Sequence, residues 1–186
     1  EKIFSSFEAG ALIFGYPVKD PQRYGIIEFN SDGKVVNLEE KPSFPKSRYA
    51  VPGLYVYDSR VTKFAEGLQP SERGELEITD LNKIYLSNDE LEVILLGRGI
   101  AWLDTGTSES LQEASSFVMS VEKRQSYKIG CPEEISLRKK YIDIDDFKSL
   151  IQNMDNCEYS EYLKSVFNEF QENSGIKEKG IYDLQL

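Results

Sequence analysis

Every candidate strand in this chain lies before residue 104, and only helical patterns follow residue 107. Short extended apolar segments, which are typical of strands, fall at residues 11–16, 24–29, 34–38, 51–57 and 92–96. The turn sequence NSDG at residues 30–33 predicts that the second and third segments form a hairpin. Apolar residues recur at helical spacing over residues 59–68 and 78–86. This order predicts an α/β fold in which helices cover a mixed sheet.

The second half of the chain carries three helical stripes of apolar residues. They are Leu111, Ala114, Phe117, Val118 and Val121; Ile144, Phe147, Leu150, Ile151 and Met154; and Tyr159, Tyr162, Leu163, Val166, Phe167 and Phe170. We interpret them as helix-packing faces. Pro132 is expected to begin one helix, and Asp143 to cap the next. The periodicity is lost from about Glu172, which predicts a frayed tail.

Composition excludes several classes of function. The formal net charge of −10 argues against nucleic acid as a partner, and neither a membrane span nor a signal peptide is visible in the sequence. The chain contains no histidine, so imidazole is excluded as a base or metal ligand. A bound metal would be held mainly by oxygen, which favours Mg²⁺. Cys131 and Cys157 are expected to be ordinary thiols in a reducing compartment.

The segment GRGIAWLDTGT, residues 97–107, holds one carboxylate between an apolar approach and a turn. Ala101, Trp102 and Leu103 are expected to end a strand, and the residues after Asp104 to open a helix. A carboxylate at that position in an open α/β sheet lies where ligands bind. The alternative is that Asp104 only caps the helix that begins near Ser108.

Charged residues at the end of the hairpin form a second candidate site. In an extended chain Glu40 points opposite to Glu39 and Lys41, and Pro42 ends the strand. A carboxylate can accept hydrogen bonds from sugar hydroxyls, and an ammonium can hold a phosphate. The alternative is an exposed strand end with solvated charges.

A third candidate is Arg73 in the loop before the second helix. Gly74 allows the backbone to approach a ligand closely, and the guanidinium can contact phosphate through two nitrogens. The alternative is a surface ion pair between Arg73 and Glu75 or Glu77.

Taken together and in order, five segments resemble the later half of the bacterial glucose-1-phosphate thymidylyltransferases, which are sugar-nucleotide pyrophosphorylases. The segments are YGIIEF, LEEKP, AVPGLYVYD, RGELEITDLNKIYL and GRGIAWLDTGT. The resemblance extends through CPEEI, which is typical of the thymidylyl branch, and covers roughly residues 10–170. It implies the second half of a Rossmann-like nucleotidyltransferase mixed sheet, with a C-terminal helical subdomain. The implied limits are a sugar-binding half at residues 1–130, a helical subdomain at 131–171 and a tail at 172–186.

The resemblance also implies a reaction. The phosphate of glucose 1-phosphate attacks the α-phosphorus of dTTP with the help of Mg²⁺, giving dTDP-glucose and pyrophosphate. The substrate provides the nucleophile, in agreement with a chain that lacks histidine. The resemblance further implies a cytoplasmic homo-oligomer, typically a tetramer, that supplies dTDP-rhamnose synthesis.

Matched residue by residue, the resemblance implies a set of ligand-binding positions. The main chains of Gly25 and Val51 and the carboxylate of Glu40 would hold the sugar, and Asp104 would hold Mg²⁺. Lys41 and Arg73, with Tyr55 beside them, would hold the sugar phosphate and act in catalysis. Trp102 is expected to pack in the wall of the site.

One family feature has no counterpart between Glu1 and Leu186. It is the glycine-rich nucleotide loop of the type GGxGTRLxPxT. We therefore expect a fragment that is inactive alone and whose exposed sheet edge is covered by self-association or a companion segment. Two alternatives stay open: a sugar-phosphate-binding or assembly module without catalysis, and a pyrophosphorylase for another nucleotide such as UTP.

Overall fold

The computed structural model describes residues 7–173. The chain divides into two compact units between Trp102 and Leu103. The first unit contains a sheet with two α-helices, and the described part of the second unit is helical. The domain limits at residues 130 and 171, which come from the family resemblance, stay a prediction.

The sheet of the first unit is mixed. Its strands are β1 (Ala11–Pro17), β2 (Gly25–Phe29), β3 (Val35–Glu40), β4 (Tyr49–Ala50), β5 (Tyr55–Tyr57) and β6 (Leu91–Leu95). The strand order is β3-β2-β4-β1-β5, and β6 also pairs with β1. The β1–β6 pair is parallel and the other pairs are antiparallel. The expected α/β class with a mixed sheet is confirmed.

The β2–β3 hairpin fixes the position of the candidate site. In its turn, Oδ1 of Asn30 accepts hydrogen bonds from the backbone N–H groups of Asp32 (3.0 Å) and Lys34 (2.8 Å). Gly33 has a φ of 78°, a conformation that glycine adopts without steric cost. The resulting register places Gly25 opposite Glu40 at the open end of the hairpin.

The expected continuous strand over residues 51–57 is wrong. Pro52 has no N–H to donate to a ladder. The N–H of Leu54 donates to the carbonyl of Pro52 at 2.8 Å, so the chain turns there. Pairing with β1 is therefore split into the short β4 and β5.

The two helices of the first unit are α1 (Val61–Glu66) and α2 (Ile78–Ser87). Tyr85 of α2 is buried, stacks on Tyr57 with ring centroids 5.6 Å apart, and meets the edge of Phe64 at 5.2 Å. Leu81 is buried with Tyr85 against Ala11 of β1. These contacts fix α2 against the sheet, and with it the residues that begin the helix.

Asp58, between β5 and α1, connects three elements of the first unit. Its carboxylate accepts hydrogen bonds from the N–H of Gly10 (2.7 Å), from Nη2 of Arg60 (2.6 Å) and from the hydroxyl of Tyr85 (3.1 Å). The Arg60 guanidinium is the largest influence that holds the pKa of Asp58 well below its usual range. The ionised carboxylate is therefore part of the folded structure.

The second unit contains α3 (Ser108–Gln125), α4 (Pro132–Arg138), α5 (Ile144–Gln152) and α6 (Glu158–Asn173). The expected helix start at Pro132 is confirmed, as is the Asp143 cap, whose Oδ1 accepts the N–H of Asp146 at 2.8 Å. The core of the unit consists of Cys131, Leu137, Phe147, Ile151, Leu163 and Val166. The stripe on α3 is buried only at Ala114, whereas Leu111 and Phe117 are exposed.

Cys131 is buried and Cys157 is exposed, and both are free thiols. Of the helices in residues 7–173, none has the length and apolar character that a membrane span requires. The tail expected at residues 172–186 begins in the last turn of α6, and residues 174–186 lie outside the described part of the chain.

We predict that Asp58→Asn destabilises the first unit in a pH-dependent way. Because the folded pKa of Asp58 is lowered, its stabilisation is fully present above the unfolded pKa of about 3.9. It begins to decrease as the pH falls below that value and is lost completely only as the pH falls through the lower folded pKa. The difference in unfolding free energy between the original chain and Asp58→Asn should therefore shrink from pH 6 to pH 3. Urea unfolding followed by the fluorescence of Trp102, the one tryptophan of the chain, measures it.

The control is Asp32→Asn in the exposed hairpin turn, which should show no comparable pH-dependent difference. If the difference in unfolding free energy between Asp58→Asn and the original chain stayed constant from pH 6 to pH 3, the lowered pKa of Asp58 would be contradicted.

Candidate functional site

The carboxylate of Glu40 is held at the open end of the β2–β3 hairpin. Its side chain is 21% exposed, and its Oε2 accepts a hydrogen bond of 2.5 Å from the hydroxyl of Thr79, a buried residue in the first turn of α2. A Cβ at Gly25 would lie 2.9 Å from Thr79 Oγ1 and 3.0 Å from Glu40 Oε2. Glycine at position 25 therefore leaves the space in which these two side chains meet.

Arg73 reaches the same place from the loop before α2. The N–H of Gly74 closes a turn on the carbonyl of Ser71 at 2.8 Å, and Gly74 has a φ of 77°. The Nη1 atom of Arg73 lies 3.8 Å from Oε1 of Glu40. The structure thus brings together Glu40 and Arg73, which were selected from separate segments of the sequence.

Arg73 also forms the ion pairs that the sequence offered as the alternative. Its Nη2 donates to Oε2 of Glu75 at 2.8 Å, and its Nη1 lies 3.4 Å from Oε1 of Glu77. Glu77 is buried, and its Oε1 also accepts a hydrogen bond of 2.9 Å from the hydroxyl of Ser71. The guanidinium is therefore surrounded by acidic groups of its own chain.

Lys41 follows Glu40 in a strained backbone conformation. Its φ of 43° is left-handed, which costs a residue with a side chain about 1–2 kcal/mol. The N–H of Lys41 donates to the carbonyl of Tyr24 at 3.0 Å, and this bond holds the strained turn. Lys41 is exposed, whereas Pro42 after it is buried. Backbone strain of this kind is concentrated at functional sites.

Val51 and Tyr55 border the same end of the hairpin. The N–H of Val51 donates to the carbonyl of Gly25 at 2.8 Å. Burial, followed by the negative charge of Glu40, raises the pKa of the Tyr55 hydroxyl. Tyr55 stacks on Tyr57 with ring centroids 5.9 Å apart, so its ring is fixed by packing.

Trp102 packs against aromatic side chains of the first unit. Its ring lies 5.0 Å from that of Tyr24 and 5.8 Å from that of Tyr16, in edge-to-face geometry. The carbonyl of Tyr24 is the acceptor that holds Lys41. The expectation that Trp102 is a packing residue agrees with these contacts.

Asp104 belongs to the second unit and does not cap the helix. The N-cap of α3 is Thr107, whose side chain accepts the N–H of Ser110 at 3.1 Å. Oδ1 of Asp104 instead accepts the N–H of Gly106 at 3.3 Å, inside the turn. The cap interpretation of Asp104 is therefore wrong.

The strand expected at residues 101–103 is also wrong. β6 ends at Leu95, and the N–H of Ile100 closes a turn on the carbonyl of Gly97 at 3.2 Å. A strand requires a hydrogen-bonded neighbour, and residues 7–173 provide none for this segment.

The described residues do not assemble a metal centre by themselves. Between residues 7 and 173 there is no group of three or more acidic or thiol side chains that could hold a metal ion. Mg²⁺ prefers oxygen ligands in octahedral geometry, often one or two carboxylates with waters and substrate phosphates. Asp104 fits one such ligand by its chemistry, and Mg²⁺ stays a prediction.

Thr79 and Ser71 were not selected from the sequence as site residues, and Glu77 was considered only as an ion-pair partner of Arg73. Thr79 and Glu77 are buried and contact Glu40 and Arg73, and Ser71 contacts Glu77. Their segment resembles the ordinary start of a helix, where polar residues are common. The one signal in the sequence is that Glu77 and Thr79 alternate with the apolar Leu76 and Ile78. The structure buries the two polar residues and leaves the two apolar residues exposed, the reverse of the pattern expected for a solvated helix start.

The end of the β2–β3 hairpin thus brings Glu40, Thr79 and Arg73 together on a mixed α/β sheet. The model of the family described as "Nucleotidyl transferase" matches residues 3–121. The chain belongs to this nucleotidyl transferase family.

Similar proteins of known name agree with this family. The chain is 51% identical over 154 residues to a glucose-1-phosphate thymidylyltransferase from Neisseria meningitidis, covering 83% of the chain and 54% of the relative. It is 51% identical over 160 residues to the protein of that name from Mycolicibacterium smegmatis, covering 86% of the chain and 56% of the relative.

A solved structure is also similar. It is a glucose-1-phosphate thymidylyltransferase from Bacillus anthracis in complex with sucrose, with a TM-score of 0.55 and 41% identity. The match covers 62% of this chain and 46% of that one. The chain thus spans about half the length of the curated relatives it matches.

We predict that Gly25→Ala destabilises the first unit by about 1–3 kcal/mol, the usual cost of overpacking. The added methyl would force apart the buried Thr79 hydroxyl and the Glu40 carboxylate. The matched control is Gly53→Ala, because a Cβ at Gly53 meets nothing within 4 Å. Urea unfolding monitored by Trp102 fluorescence compares them, and equal effects of the two substitutions would disprove the close approach at Gly25.

Proposed function

We propose that this chain provides the sugar-phosphate half of the active site of a glucose-1-phosphate thymidylyltransferase. The observation that carries the proposal is the convergence of Glu40, Gly25, Val51 and Arg73 at one end of the β2–β3 hairpin, with Lys41 in strained backbone beside them. The names of the relatives at 51% identity support the same reaction.

In this reaction, a phosphate oxygen of glucose 1-phosphate attacks the α-phosphorus of dTTP. A new P–O bond forms, the bond between the α- and β-phosphates breaks, and pyrophosphate leaves with the electron pair. The protein provides no nucleophile, so its contribution is to align the two substrates and to stabilise the charge of the transferring group.

Each residue of the cluster has a role that its chemistry permits. The carboxylate of Glu40 accepts hydrogen bonds from glucose hydroxyls, with one oxygen already fixed by Thr79. Arg73 and Lys41 hold the phosphate, Arg73 through its planar fork and Lys41 as a point charge. The main chains of Gly25 and Val51 border the sugar, and Tyr55 forms a rigid wall.

Asp104 would provide one carboxylate ligand of Mg²⁺, which when bound neutralises charge on the phosphates. In this proposal the substrates are glucose 1-phosphate and dTTP, as the names of the relatives imply. The names of the relatives favour the thymidylyl reaction over that of a UTP-dependent enzyme. Cytoplasmic location, a homo-oligomer and a role in dTDP-rhamnose synthesis stay predictions.

We predict that Lys41→Met and Arg73→Met each weaken the binding of glucose 1-phosphate to the 186-residue chain about tenfold or more. Hydrogen bonds to charged groups are worth about 1.5–3 kcal/mol, which corresponds to that factor. Calorimetric titration with glucose 1-phosphate and with glucose gives both affinities, and the preference for the phosphorylated sugar should fall in both variants.

The matched control is Lys63→Met on the exposed part of α1, which removes one positive charge elsewhere in the first unit. Its affinity should stay within about twofold of the original. Equal losses in all three variants would mean that only overall charge matters, and the proposed site would be wrong.

We further predict that the 186-residue chain, verified by intact mass, forms no dTDP-glucose from dTTP and glucose 1-phosphate at rates typical of enzymes. The reason is that no GGxGTRLxPxT loop occurs in its sequence to hold the triphosphate. A coupled pyrophosphate assay measures this. Turnover of about 1 per second or faster would contradict the division of the site into two halves.

A further inference from the structure

Three carboxylates of different burial surround the guanidinium of Arg73. Glu77 has a side chain only 10% exposed, Glu40 is 21% exposed, and Glu75 is 61% exposed. The exposed Glu75 makes the shortest contact, at 2.8 Å to Nη2. Nη1 lies between the other two, 3.4 Å from Glu77 and 3.8 Å from Glu40.

This arrangement sets a charge problem for any anionic ligand. Three negative charges face the one positive charge of Arg73, so a phosphate that approaches the guanidinium is repelled unless one carboxylate gives way. The pair with Glu75 is the one that can be exchanged, because ion pairs between exposed groups contribute little net free energy. Separating Arg73 from the buried carboxylate of Glu77 would cost more free energy, because it would leave a buried charge without its partner.

We infer that Glu75 competes with the phosphate of the sugar for Arg73, and that Glu77 is the positioning residue that holds Arg73 beside Glu40. This inference rests on the proposed function, since it describes how the same site takes up its ligand. Phosphate binding replaces the Glu75 carboxylate at Nη2, while Nη1 stays with Glu77.

The loop around Ser71 supports the positioning role of Glu77. The Ser71 hydroxyl donates to Glu77 at 2.9 Å and accepts the backbone N–H of Arg73 at 3.2 Å. The Ser71 hydroxyl therefore connects the Glu77 carboxylate to the backbone of Arg73, whose guanidinium Glu77 holds. Because the long Arg73 side chain is oriented before the ligand arrives, less of its rotamer entropy remains to be lost on binding.

The test uses two substitutions with opposite expected effects on glucose 1-phosphate affinity. Glu75→Gln should tighten binding about two- to fivefold, because it removes a competing surface pair. Glu77→Gln, which keeps the side-chain shape, should weaken binding about two- to tenfold, because the guanidinium must then be ordered during binding. Calorimetric titration of the 186-residue chain measures both.

Glu72→Gln is the matched control for charge, since Glu72 is an exposed residue of the same loop. It should change the affinity by less than about twofold. A gain equal to that of Glu75→Gln would show that only the net charge matters and would overturn the competition.

A second measurement separates a positioning role from a structural one. In an Arg73→Met background, both Glu75→Gln and Glu77→Gln should lose their effects on affinity, since each acts through Arg73. If Glu77→Gln still weakens binding in that background, its role is structural and the inference is overturned. Trp102 fluorescence confirms that each variant is folded.

The failure of this inference is distinguishable from the failure of the proposed function. If Lys41→Met and Arg73→Met leave glucose 1-phosphate affinity unchanged, the proposed site itself is wrong. If those two variants lose affinity but Glu75→Gln and Glu77→Gln change it in the same direction, the site stands and the roles assigned to the two glutamates are wrong.

Discussion

The candidate site depends on the register of one hairpin, in which Gly25 stands opposite Glu40. Because side chains alternate along a strand, a slip of one residue would place Glu39 opposite Gly25 and turn Glu40 to the other face. The absence of a side chain at Gly25 then leaves space for the contact between Glu40 and Thr79. The identity and the position of the carboxylate are thus both fixed before any ligand binds.

Elements with strong local signals were predicted correctly from the sequence. The NSDG turn with its Gly33, the helix start at Pro132 and the cap at Asp143 were all found, because each depends on residues that are adjacent in the chain. The prediction of one strand over residues 51–57 was wrong because Pro52 and Gly53 interrupt a segment that is otherwise typical of a strand. The prediction that residues 101–103 end a strand was wrong because a strand also needs a pairing partner, which a local pattern does not reveal.

The site itself was predictable only in part. Glu40 and Arg73 were identified from their local settings, but the 3.8 Å distance between them is produced by the packing of α2 against the sheet. Thr79 was missed because a buried polar residue is recognised by its partner, and its partner Glu40 lies in another segment. The ion pairs of Arg73 with Glu75 and Glu77 were predicted as an alternative to phosphate binding. The structure contains both ion pairs and also places Arg73 near Glu40, so the ion pairs belong to the candidate site itself.

The central claim is that a hexose phosphate binds at the end of the β2–β3 hairpin, between an acidic group for the sugar and basic groups for the phosphate. The most direct measurement is a crystal structure of the 186-residue chain with glucose 1-phosphate. The account predicts sugar hydroxyls within hydrogen-bond distance of Glu40, and phosphate oxygens in contact with Arg73 and Lys41. A sugar phosphate that binds elsewhere, or one whose phosphate contacts neither Arg73 nor Lys41, would contradict it.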